Sequence, residues 1–134
     1  MATEILVNDG GAPARILPFT AGSSISAGDY IVMNSDGEVD VVAAKHDHGI
    51  GVALTAQTSG NIVSVISGKG VLLRTNVSGT AGDHAGAVAA GDSLCTAAQG
   101  FLTKVHPASA SGTVVAIALE AQTAGNALGK VLMF

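Results

Sequence analysis

The chain has 134 residues, one cysteine and a formal net charge of −4 at pH 7. One domain is expected for this length, and a single cysteine excludes both an intramolecular disulfide framework and a zinc site built from several thiolates. The six lysines and arginines are spread singly along the chain. Nucleic-acid binding is therefore not expected, because phosphate contacts need a basic stripe.

The chain is rich in apolar residues for one with so few charges. Hydrophobic residues make up 48%, charged residues 12%, and the mean hydropathy is +0.49. Such a surface is commonly hidden in an assembly, and a homotrimer is expected. Residues 48–68 carry no charge, but 55–61 are turn-forming types, so this segment predicts a strand, a turn and a strand and not a membrane span. No signal peptide is expected, because no basic region followed by an apolar run opens the sequence.

Residues 1–20 are predicted to form an extended N-terminal arm. Two apolar stretches, 5–7 and 16–19, flank a turn at 8–11, and Pro13 and Pro18 accompany them. Proline is compatible with an edge or extended segment and argues against a central strand. The rest of the chain, 21–134, is predicted to be a single β domain.

The strands of this domain are expected to be short and joined by glycine-rich turns. Asp36-Gly37 between apolar runs predicts a hairpin, and no segment has helical spacing with caps. The predicted strands are 30–33, 38–42, 50–54 and 62–67, then 93–96, 101–105, 114–119 and 130–134. This pattern predicts an all-β fold, a compact antiparallel barrel of β-clip-like or β-tulip-like form.

The domain has an internal repeat. Residues 50–61 recur as 115–126 with seven of twelve positions identical, and 25–29 are echoed by 88–92. The two blocks occur in the same order at offsets of 65 and 63, so we interpret them as a duplication, with copies at about 21–79 and 84–134.

Few residues suggest chemistry. Gly28, Asp29, Gly91 and Asp92 are interpreted as structural turns, because an aspartate after glycine can bond the amides of its own turn; a catalytic carboxylate pair is the alternative. His46 and His48 would share one face of a strand and are weak metal candidates, but a solvated polar loop between the second and third strands is the favoured interpretation.

Cys95 and His106 could form a nucleophile pair. Cys95 nevertheless falls inside an apolar strand, at the position of Val32 in the first copy, which favours a small buried residue. No acid, base and nucleophile come together in the sequence. We therefore expect neither an enzyme nor a cofactor.

The pattern Ile-x-Ala-Gly-Asp (25–29), apolar strand (30–33), Asp-Gly (36–37), Gly-Val-Ala-Leu (51–54) and Gly-x-x-Val-x-Val (60–65) resembles small decoration, or cement, proteins of tailed-phage heads. The second copy departs from it, with Gln99 and Ala116 in place of Asp and Gly. The resemblance covers about residues 21–134.

The resemblance implies a virion protein, made in the host cytoplasm, that sits as a trimer on the outer capsid surface and stabilises the shell. Its partners would be the major capsid protein and sister copies. The arm could add a strand to a neighbouring edge, and the expected capsid-contact residues are Ile5, Leu6, Val7, Arg15, Ile16, Leu17 and Phe19. Two alternatives remain open: another virion module such as a tail or fibre-base component, and a ligand-binding or accessory β-clip domain of an enzyme.

Overall fold

The protein is described here from a computed structural model. The described residues are 5–8, 15–43, 49–67, 70–78, 88–96, 100–105, 114–122 and 126–133. They form eleven strands and no α-helix, and the all-β class predicted from the sequence is confirmed. The strands are β1 (Leu6–Asn8), β2 (Arg15–Thr20), β3 (Tyr30–Met33), β4 (Val39–Val41), β5 (Gly51–Ala53), β6 (Ile62–Ser67), β7 (Leu72–Ser78), β8 (Ser93–Thr96), β9 (Leu102–Lys104), β10 (Ala116–Ala118) and β11 (Asn126–Met133).

The first sheet has the order β2-β6-β5-β3-β4, and neighbouring strands are antiparallel. Ala21, directly after β2, forms a parallel bridge with Val39 of β4. Because this bridge joins the two outer strands, the sheet curls into a small barrel, which we call barrel 1 (residues 15–67).

The second sheet has the order β1-β7-β11-β10-β8-β9, and a parallel pairing of Val77 with Leu102 brings β9 back to β7. Strands β7 to β11 therefore close in the same way, and we call them barrel 2 (residues 70–133). The strand β1 lies outside this ring and pairs with the start of β7 at Leu73 and Leu72.

The two barrels share one strand order, with β7 to β11 in the places of β2 to β6. The chain therefore divides between β6 and β7, and not after residue 79 as the repeat suggested. Each ring needs a fifth strand to close, and that strand precedes the repeated sequence blocks. For the same reason β2 is part of barrel 1, whereas the sequence predicts residues 15–20 to belong to the arm.

Two groups of buried side chains hold the fold together. One fills barrel 1 and includes Ile31, Val39, Val63 and Val65. The other fills barrel 2 and extends to the outer face of barrel 1; its members from barrel 1 are Tyr30, Val42, Val52 and Ile66. Since strand side chains alternate between two faces, barrel 1 buries one face in its own interior and the other against barrel 2.

Candidate assembly surface

The turn before β3 is built around Asp29. Its Oδ2 accepts a hydrogen bond from the Ser26 amide (2.9 Å), and the Asp29 amide donates to Ser26 O (3.1 Å). Gly28 has a φ of 95°, a conformation that glycine adopts without steric cost. The carboxylate thus acts on its own turn, as expected for a structural residue.

The turn before β8 is built in the same way around Asp92. Its Oδ2 accepts from the Ala89 amide (2.9 Å), the Asp92 amide donates to Ala89 O (3.1 Å), and Gly91 has a φ of 93°. Gly28, Asp29, Gly91 and Asp92 therefore all occupy the turns that the sequence predicted.

The Asp29 turn is the main polar contact between the barrels. Gly28 O accepts from the Asn76 amide (2.9 Å) and from Thr75 Oγ1 (2.8 Å), both on β7. The Asn76 side-chain amide also donates to Asp29 Oδ1 (2.6 Å). Asp29 is only 8% exposed. Both of its carboxylate oxygens accept hydrogen bonds within this nearly closed site.

Burial raises the pKa of Asp29, and the hydrogen bonds from Ser26 and Asn76 oppose that effect. Removing a carboxylate from water disfavours its charged form, whereas donors to that form favour it. The raised pKa is thus a property of the junction between the barrels, because it depends on the burial that β7 provides.

Further contacts extend the junction on both sides of this turn. The Gly100 amide donates to Val42 O (2.9 Å), and a Cβ at Gly100 would lie 3.1 Å from Asp29 Oδ1. The Leu128 side chain on β11 packs against Gly28, where a Cβ would lie 2.4 Å from Leu128 Cδ2. We call Thr75, Asn76, Gly100 and Leu128 the edge face of barrel 2.

Tyr30 lies beside this junction on the outer face of barrel 1. It is 3% exposed, and burial raises its pKa to about 12, because the phenolate would lose its hydration. A Cβ at Gly49 would lie 1.9 Å from Tyr30 Cε1, so the glycine leaves room for the ring.

The expected arm is paired with the rest of the chain in its described parts. The strand β2 pairs with β6 over six residues, and β1 pairs with β7. Ile5 is 2% exposed and belongs to the core, so its assignment as a capsid contact is wrong for this structure. Its carbonyl accepts from the Arg74 amide (2.7 Å), which holds this residue against barrel 2.

The other expected contact residues are divided. Ile16 and Leu17 are 50% and 40% exposed, and Arg15 is exposed too. Phe19 packs against the interior of barrel 1. Leu6 and Val7 lie in β1, and their side chains are outside the described part of the structure.

The candidate chemistry does not come together in the described structure. His46, His48 and His106 lie outside the described residues. Cys95 is fully buried, which agrees with its interpretation as a small core residue. Among the described residues no group of three or more potential metal ligands occurs, and no helix could span a membrane.

A shallow hollow of about 290 Å³ lies beside the bridge between Ile25 and Gln57. Its other lining residues are Ser24, Ala56 and Thr58, so no charged side chain lines it. The hollow offers neither an acid nor a base for catalysis.

Two residues at the edge formed by β2 and β6 were not found from the sequence. Ile62, at the start of β6, is the most exposed of the large hydrophobic residues described, at 57%. Thr20 ends β2 on the open side of that strand. Neither belongs to the repeated blocks, and only the strand register relates them to residues of barrel 2.

No protein-family model matches the sequence, and no curated protein matches it. Among solved structures, the chain is similar to the N base of the head fiber protein gp8.5 in bacteriophage phi29. The TM-score is 0.67 at 18% identity, and the match covers 91% of this chain and 95% of that chain. At this identity the likeness shows a shared fold.

Proposed function

We propose that this protein is a structural component of a phage virion that binds the outside of the icosahedral head and stabilises the shell. The observation that carries the proposal is the fold shared with a phage head fiber base along nearly the whole length of both chains. The decoration-protein pattern at 25–65 leads independently to the same part of a virion.

The surface of the protein supports this role. Ile16 and Leu17 are about half exposed on β2, a strand whose only ladder partner among the described strands is β6. Exposed apolar side chains at a sheet edge suit a protein partner better than a small ligand. The proposed partners are the major capsid protein and sister copies, with no cofactor and no catalytic activity.

Binding to empty heads tests the proposal. Purified protein is mixed with expanded heads assembled from the cognate major capsid protein alone, and the heads are sedimented through a sucrose cushion. We expect the protein to sediment with the heads and to raise the temperature at which they break open. The protein remaining in the supernatant at saturating head concentration would contradict the proposal.

A pair of variants locates the contact. Ile16→Glu together with Leu17→Glu should abolish co-sedimentation, because charges would face an apolar interface. Met33→Glu is the matched control, since Met33 is also 40% exposed but lies on β3, a strand that pairs with β4 and β5 and not with β2. Equal loss in both variants would mean that β2 does not form the contact.

The second candidate function is the head-proximal base of a projecting fibre. The specific observation that favours it is that the similar structure is itself described as a fiber base. Electron cryomicroscopy of complete virions distinguishes the two, because a base would continue into an elongated projection whereas a decoration protein would end at the capsid surface.

A further inference from the structure

The junction between the barrels is formed once inside the chain, yet both of its halves occur twice. Barrel 1 contributes the Asp29 turn and barrel 2 contributes the edge face. Because the barrels share one strand order, barrel 2 has its own copy of the turn and barrel 1 its own copy of the edge. Neither of these second copies is used within the described chain.

The strand register identifies the equivalent edge residues. Ile16 pairs with Ile66 in barrel 1 as Leu72 pairs with Leu132 in barrel 2. Counting four residues along each ungapped strand makes Thr20 equivalent to Asn76 and Ile62 equivalent to Leu128. The parallel pairings that close the two barrels support the same equivalence, because Ala21 pairs with Val39 in barrel 1 as Val77 pairs with Leu102 in barrel 2.

The backbone of Thr20 points the same way as that of Asn76. The Ala21 amide donates across the β2–β6 pair to Asn61 O (2.8 Å). Because successive residues of an antiparallel strand direct their amides to opposite edges, the Thr20 amide points away from β6, as the Asn76 amide points away from β11. Asn76 uses that amide to bind Gly28 O, whereas Thr20 has no such partner among the described residues.

The apolar part of this second edge is open as well. Leu128 covers the Gly28 turn, whereas the equivalent Ile62 is 57% exposed. Gly37 corresponds to Gly100 in the aligned hairpins, and no atom of the described residues lies within 4 Å of a Cβ placed on it. The edge of barrel 1 thus keeps the chemical types of Asn76 and Leu128, polar at Thr20 and apolar at Ile62, without the contact. Phe19 lies at the place of Thr75, so the hydroxyl bond of Thr75 to the turn has no equivalent.

The second turn is equally open. Among the described residues, no atom lies within 4 Å of a Cβ placed on Gly91. Gly91 is exposed and Asp92 is half-buried, whereas Gly28 and Asp29 are buried. The outer face beside this turn contains Val105, Ile117 and Leu132, all half-buried. Their equivalents in barrel 1 are fully buried against barrel 2 and are Val42, Val52 and Ile66.

We propose that a second copy of this chain docks head to tail by repeating the internal junction. The Asp92 turn of one copy binds the β2 edge of the next. Gly91 O accepts from the Thr20 amide, and Ile62 covers the turn as Leu128 covers Gly28. The half-buried face at Val105, Ile117 and Leu132 is covered in the same contact.

The geometry of such an assembly follows from the contact type. A head-to-tail contact joins two different surfaces, so repeated docking closes into a ring or continues as a filament. In a closed ring of three copies, six barrels would be joined by six similar junctions, three inside the chains and three between them. Pro18 is equivalent to Arg74, whose amide donates to Ile5 O in β1. Proline has no amide hydrogen, so Pro18 cannot make the same bond to an added strand. The β2 edge is therefore better suited to bind a turn than a strand.

Disulfide cross-linking tests the contact with the full chain. Thr20→Cys and Asp92→Cys are made as separate proteins, and Cys95 does not interfere because it is buried. We expect a covalent dimer on oxidation of the mixture and none from either protein alone. The double variant should give a ladder that ends at the ring size. No dimer from the mixture, or a dimer from one variant alone, would overturn the head-to-tail contact.

A second measurement uses the native surface. Light scattering of the unmodified protein should give a multiple of the subunit mass. Ile62→Glu should weaken association at least about tenfold, because it buries an unpaired charge. Thermal unfolding checks that the variant folds. A monomeric unmodified protein at micromolar concentration, or a folded Ile62→Glu variant of unchanged mass, would overturn the proposal.

Discussion

Barrels 1 and 2 contain the same turn in opposite surroundings. Asp29 and Asp92 form the same two hydrogen bonds within their turns at the same distances. Asp29 is nevertheless buried under β7, whereas Asp92 is only half-buried. The turn sequence therefore determines the local geometry of the aspartate, whereas the neighbouring barrel determines its burial. A property such as the raised pKa of Asp29 therefore depends on where its barrel lies in the chain.

The largest effect is expected from an alanine at Gly51. A Cβ there would lie 2.1 Å from the backbone oxygen of Ile66, and backbone cannot move aside as a side chain can. Barrel 2 has Ala116 at the equivalent place, since Ile31 pairs with Gly51 as Leu94 pairs with Ala116. Gly51→Ala should lower the free energy of unfolding by about 3 kcal/mol or more.

The reverse change is the control for that experiment. Ala116→Gly removes one buried methyl group and adds backbone freedom, so about 1 kcal/mol is expected. Urea denaturation followed by circular dichroism measures both changes. If the two variants lose the same stability, the barrels do not differ at this position as the structure indicates.

The next effect concerns the polar contact of the junction. Asn76→Ala leaves the buried Asp29 Oδ1 without its 2.6 Å donor, so we expect a loss of about 1–3 kcal/mol. Thr20→Ala changes the equivalent residue of barrel 1, where only a partly exposed side chain is removed, and should change subunit stability by less than about 0.5 kcal/mol. Urea denaturation below the concentration at which copies associate makes the comparison. Equal losses would mean that the junction gains nothing from Asn76.

Tyr30 provides a spectroscopic comparison, because it is the only tyrosine and the chain has no tryptophan. Its raised pKa of about 12 predicts that absorbance near 295 nm stays unchanged in the folded protein as pH passes 10. Since the pKa is higher in the folded state, stability declines as pH rises from about 10 towards 12. An absorbance change centred near pH 10 before unfolding would show that the phenol is open to water.

The smallest effect expected is the pH dependence from Asp29. Its pKa is raised above the ordinary value of 3.8, so the folded state holds the proton more tightly than the unfolded state. Stability from this group is therefore present at low pH and is lost as pH rises through the folded pKa. Asp29→Asn should reduce that decline, measured as the difference in urea midpoint between pH 3 and pH 6. A decline that persists in Asp29→Asn would assign the effect to other carboxylates.

The predicted strands show where sequence reasoning succeeds. The bounds expected for β3, β6 and β8 agree with the structure, and β4, β5, β9 and β10 lie inside the expected ranges. These strands are short runs that contain apolar residues and follow glycine turns, so local chemistry is sufficient to find them. The strand β11 begins at Asn126, four residues before the predicted 130.

The strands β2 and β7 show where prediction from the sequence fails. The sequence 15–20 contains a proline and was assigned to an arm, and 72–78 was not predicted as a strand. Their registers in the two barrels match, but 16–20 and 72–76 have little identity beyond Leu17 and Leu73. Equivalence of this kind depends on long-range pairing, which local pattern does not contain.

The all-β class, most strand positions and the two aspartate turns follow from the sequence, because they depend on short apolar runs and on turn conformations that glycine permits. Only the tertiary structure decided which turn is buried, why Ile5 belongs to the core, and that Thr20 and Ile62 form an open edge. Those properties depend on which strand lies beside which. The pairing of β2 with β6 and β7 with β11 is stabilised by contacts between residues far apart in the chain, and no single segment encodes it.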